Sequence, residues 1–105
     1  MSQAEYYKQL KSRPETALVG SKWSQEEEVK LLNELGIGID IDAIAKEHKR
    51  TTGGIQSRMR QIAVRMIKSG KYIDETCGSM RLTREEVEDA LHRHDGKQKK
   101  NDEKR

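Results

Sequence analysis

Apolar positions along the chain recur at spacings of three and four residues, the helical period, with no sustained alternation of the kind a strand needs. The best-bounded helix opens at Ser24. Ser24 and Glu27 form a capping box, and Glu26, Glu27 and Glu28 fill a first turn whose dipole favours anions. Val29, Leu32 and Leu35 give this helix an apolar face, with Leu31 on its margin, and Gly36 and Gly38 end it. Asp40 caps a second helix, from Ile41 to about His48, with Ile41, Ile44 and Ala45 facing inward. Thr51 caps a third. Its Ile55, Met59, Ile62 and Met66 fall at i, i+4, i+7 and i+11 on one face, and Ser69-Gly70 stops it. Gln56, Ser57, Arg60 and Gln61 lie on the opposite face, with Arg58 and Arg65 at its edges.

Outside these three helices the pattern weakens. Ser2 and Glu5 cap a short helix bearing Tyr6, Tyr7 and Leu10, before Pro14 and Gly20 break the chain. A short helix runs from Ile73 to about Cys77. Thr83 with Glu86 makes a second capping box, opening a helix to about His92 that carries Val87, Ala90 and Leu91. From Gly96 the chain is Lys-rich and lacks apolar residues, a composition that predicts disorder. The pattern shows no internal repeat of useful length, although two capped helix-turn-helix-like units stand in tandem. The predicted fold is all-α, with Trp23, Leu32, Leu35, Ile44, Ile55, Met59 and Ile62 in the core. Residues 1–22 form an arm, partly helical or disordered; 23–70 hold three helices; 71–94 are a helical extension; 95–105 are a disordered basic tail.

Composition narrows the function classes. A chain of 105 residues with 32% hydrophobic and 4% aromatic residues builds one small domain or two short helical units around a modest aliphatic core. An enzyme is not expected, because no nucleophile has a base at a recognisable spacing and the carboxylates fall at helix starts, where capping explains them. His92, His94 and Cys77 lack metal-site spacing, so no metal is expected, nor any cofactor or small-molecule substrate. Gly53-Gly54 lacks the following Lys and preceding strand of a phosphate-binding loop. No run approaches a membrane span, no signal-peptide pattern opens the chain, and the single Cys precludes an internal disulfide. These features point to an intracellular protein: in the nucleus if eukaryotic, in a virion or host cell if viral.

Charge changes the picture most. The net charge of +3 conceals blocks of opposite sign. Residues 23–48 carry seven acidic and two basic groups, whereas 49–73 carry Lys49, Arg50, Arg58, Arg60, Arg65, Lys68 and Lys71 with no acid. Residues 74–95 are acidic again. Such a basic stretch either attracts a polyanion, most commonly nucleic acid, or is a solvated face balanced by its acidic neighbours. Gly53 and Gly54 in the first turn of the third helix are either tolerated near a terminus or permit close backbone approach to another surface.

Trp23-Ser24-Gln25-Glu26-Glu27-Glu28 resembles the W-[ST]-x-E-E-[DE] opening of Myb/SANT-like domains, and Leu31-Leu32, Leu35-Gly36 and Ile44-Ala45 match its hydrophobic and turn positions. Lys49-Arg50-Thr51-Thr52-Gly53-Gly54-Ile55-Gln56-Ser57-Arg58-Met59 resembles the family's R-T-x-x-x-I-x-x-R-W. The resemblance covers residues 23–68. Of the three core tryptophans usual in Myb repeats, only Trp23 is present, with Ile41 and Met59 at the other two positions. This variant is closer to Myb-like modules of large DNA viruses and to those appended to helicases and nucleases.

The resemblance implies a three-helix helix-turn-helix bundle that binds double-stranded DNA, with helix 52–68 in the major groove. It implies base contacts from Gln56, Ser57, Arg60 and Gln61, where Gln suits adenine and Arg suits guanine. Phosphate contacts would come from Lys49, Arg50, Thr52, Gly53, Arg65 and Lys68. Arg58 is either a brace to an acid of the first two helices or a further cation on the exposed face. The alternative is a SANT-type module that docks on chromatin or another protein. The stretch from Gly70 through Leu82-Thr83-Arg84-Glu85-Glu86-Val87 resembles half of a sigma-factor-type helix-turn-helix. Its acidic last helix would repel phosphate, so 71–94 suits packing, a homodimer contact or a protein partner.

Overall fold

A computed structural model describes the backbone of residues 2–103 and the side chains of 2–6, 8–14 and 16–95. All regular structure among the described residues is helical: α1 (Gln3–Ser12), a 3-10 turn (Pro14–Thr16), α2 (Gln25–Gly36), α3 (Ile41–His48), α4 (Thr52–Lys68), α5 (Ile73–Met80) and α6 (Arg84–Glu103). No helix there is long and apolar enough to cross a membrane. The chain divides into two compact units, one ending at Ser57 and one beginning at Arg58, so residues 52–57 of α4 belong to the first and 58–68 to the second.

The helix starts follow the capping chemistry. The Ser2 hydroxyl accepts from the Glu5 N–H (3.2 Å), Ser24 from Glu27 (3.1 Å), Thr51 from Gly54 (3.0 Å) and Thr83 from Glu86 (3.1 Å). Asp40 stands at the N-cap of α3 without a side-chain bond. Only Thr83 completes its capping box, the Glu86 carboxylate accepting in return from the Thr83 N–H at 3.1 Å. Both oxygens of Glu27 are occupied by His48 and Arg50 instead.

In the first unit the core is Val19, Leu31, Leu35, Ile44, Ala45 and Ile55. This corrects the expected face of α2: Leu31 is fully buried, whereas Leu32 and Val29 are 39% and 50% exposed. Glu27, Leu31 and Glu34 lie at i, i+4 and i+7 and face inward, so carboxylates occupy the stripe and the apolar pattern points one residue away from it. Trp23 is half-buried, not a core residue. In the second unit Met59, Ile62, Ala63, Val64, Met80, Leu82 and Val87 are buried with Thr76, and α5 packs on α6.

The arm holds α1 and two further tethers. Thr16 donates its hydroxyl to the Leu10 carbonyl, and the Leu18 N–H donates to the Lys49 carbonyl at 2.9 Å. α5 reaches Met80, beyond the expected Cys77, because the buried Met80 side chain anchors its last turn. α6 continues to Glu103, where a disordered tail is expected from 95. One glycine costs about 1 kcal/mol in a helix, and extending a nucleated helix through good formers such as Lys and Gln adds one bond per residue. Residues 104 and 105 of that tail lie outside the described residues.

The structure also shows a repeat that residue identities conceal. Gly38 (φ 84°), the helix Ile41–His48, Lys49 in the left-handed region (φ 57°) and N-capping Thr51 are followed by α4. At an offset of 32 residues, Gly70 (φ 110°), Ile73–Met80, Arg81 (φ 54°) and Thr83 are followed by α6. Each cationic cap closes its helix with the same bonds: Arg50 N–H to the Ala45 carbonyl, and Leu82 N–H to that of Cys77. α4 thus ends the first helix–turn–helix and precedes the second. Few side chains match between the two, which is why the sequence pattern shows no repeat.

Candidate nucleic-acid interface

The turn from α3 to α4 is three residues, the length of a helix-turn-helix connection. It is fixed by a polar network within the first unit. The Arg50 guanidinium donates Nε and Nη2 to the two oxygens of Glu27 (2.7 and 2.8 Å), and Nη1 to the carbonyls of Leu18 (2.8 Å) and Ser21 (3.1 Å). Its carbon lies 4.4 Å from the centre of the Trp23 ring. On the ring of Trp23 also stacks His48, at 5.6 Å and 30°. The His48 Nδ1 meets Glu27 at 2.9 Å and its Nε2 meets Glu34. Burial raises the Glu27 pKa, but hydrogen bonds from Arg50 and His48 and their charges outweigh it and hold the carboxyl below its ordinary value.

Arg50, expected on phosphate, is therefore a buried brace. It is 6% exposed, and four of its five N–H donors go to one carboxylate and two carbonyls. Glu34 and His48 join this network only through the fold, and Glu27 does more than cap α2. The 27, 31, 34 spacing puts two carboxylates on the stripe of Leu31, which only the structure shows to be buried.

The other expected site residues distribute as follows. Gln56 and Ser57 are exposed. Gln61 is exposed, and its amide oxygen accepts from Arg58 Nη1 at 3.0 Å. Arg60 is half-exposed and reaches Glu86 at 3.8 Å, a loose pair of the sort worth little in water. Lys49 is exposed, and its charge helps to lower the Glu47 pKa; Gly53 is exposed with open space where a Cβ would stand. Thr52 is half-buried and Arg65 exposed. Lys68 is bonded to Asp95 at 2.7 Å, and this bond lowers the Asp95 pKa. Gln56, Ser57, Arg60 and Gln61 stand at i, i+1, i+4 and i+5 of one helix and so share a face. Among the described residues no group of three or more His, Cys, Asp or Glu is placed to hold a metal ion.

No protein-family model, curated protein or solved structure matches this chain.

Proposed function

We propose that the chain binds double-stranded DNA with α4 in the major groove, and that α2, α3 and α4 act as a Myb/SANT-like helix-turn-helix reader in a regulatory or genome-associated role. The observation that carries this reading is the exposed face of α4: Gln56 and Ser57 stand ready on a helix whose whole sequence contains no acid. Gln56 and Arg60 have the bidentate chemistry that reads adenine and guanine. Lys49, Arg65 and, by exchanging Asp95 for phosphate, Lys68 supply backbone contacts. Glu88 and Asp89 sit in α6 at the positions equivalent to Gln56 and Ser57, so α6 does not share the task. Fluorescence anisotropy on a labelled random-sequence duplex tests the reading. Binding should fall steeply with added salt, and Arg60→Ala should weaken it. Absence of binding at low salt contradicts it.

A second reading rests on α2. Val29 and Leu32 of α2 and Ile37 at its C-cap are 50%, 39% and 76% exposed. These apolar side chains favour a SANT-type protein-interaction module, whose partner would cover them.

A further inference from the structure

The first unit contains a groove of about 670 Å³ whose two walls come from segments far apart in sequence. One wall is α1, through Tyr6 and Lys11; the other is the start of α4, through Thr51, Gly53 and Ser57, with Gly20 between them. Lys11 is the only charged residue in the lining, and among the described residues it has no ion-pair partner. Its stem runs beside Gly20, where an added Cβ would lie 3.7 Å from Lys11 Cε. The opposite wall offers two hydroxyls and a glycine with open space beside it. α1 is held in place by the bond from Thr16 to Leu10.

We propose that this groove seats the sugar–phosphate backbone of the DNA duplex, with Lys11 as a phosphate contact, so that α1 belongs to the nucleic-acid surface. The inference rests on the DNA reading above and extends it to a different element. Ser57 belongs both to the α4 readout face and to the groove wall. A duplex edge that meets Ser57 from the major groove therefore brings a flanking backbone to Lys11. Charge favours that occupant: a lining whose charged residue is a lysine and which holds no carboxylate suits a polyanion.

The test is a salt series of anisotropy measurements on a duplex with wild type, Lys11→Gln and Lys8→Gln. Lys8 is an exposed α1 cation outside the groove. Lys11→Gln should reduce the slope of log K against log salt by about 0.9, the loss of one phosphate contact, with Lys8→Gln close to wild type. Circular dichroism should show both variants folded. Equal slopes for the two variants overturn the groove assignment while an Arg60-dependent affinity leaves the DNA reading standing. Failure of the wild type to bind removes both.

Discussion

Arg50 lies with its guanidinium carbon 4.4 Å over the Trp23 ring while it grips Glu27 with a two-pronged pair of hydrogen bonds. A cation over an indole face gains from the ring quadrupole, and the planar fork fits a carboxylate in a way that an ammonium does not. Together they close the entrance to α2 against the turn that launches α4. Removing one partner of a buried pair leaves the other uncompensated, at a cost of about 3–5 kcal/mol. Arg50→Ala should therefore unfold far more readily in urea than wild type, and Arg50→Lys should recover only part of the loss. Unchanged stability with weakened DNA binding would return Arg50 to the phosphate-contact role.

Glu27 makes this network sensitive to acid. Its folded pKa is depressed, so its contribution to stability is fully present above its ordinary value of 4.5 and is lost as pH falls through the folded value. Urea midpoints measured from pH 6 down to pH 3 should fall. Glu27→Gln, less stable at pH 6, should show a shallower decline.

The register of α2 is directly measurable. Leu31→Ala should cost about 2–5 kcal/mol, as for a buried leucine, whereas the exposed Leu32 should cost well under half as much. Equal losses would contradict the inward 27, 31, 34 stripe.

Gly53 separates stability from binding. A Cβ there meets open space, and a glutamate in the first turn gains both helix propensity and a favourable dipole interaction. Gly53→Glu should raise the melting temperature and weaken DNA binding by placing an anion beside the α4 wall. A variant that is stabilised and binds DNA normally would remove Gly53 from the interface.

Much of the helical layout is legible because caps are local. Ser24, Thr51 and Thr83 mark α2, α4 and α6 without reference to anything distant in sequence, and Ile44 and Ile55 follow a clean period into the core. What the sequence hides is non-local. Arg50 is one cation among seven in its block, and only the position of Glu27, 23 residues earlier, makes it a brace rather than a phosphate contact. Glu34 and His48 carry no local signal for the same reason. The apolar pattern of α2 misleads because carboxylates with buried partners replace aliphatics on its inner stripe. The groove beside Lys11 depends on Pro14–Thr16 turning the chain back, which no periodicity encodes. Of the candidate site, Gln56 and Ser57 stay exposed as their position on α4 implies.

The account centres on α4 as the DNA-contacting element. The most direct measurement is an amide chemical-shift titration of the labelled protein with a short duplex. Shifts should concentrate between Lys49 and Gln61, with a second group around Lys11. Shifts confined to Val29, Leu32 and Ile37, or to the acidic start of α6, would contradict it.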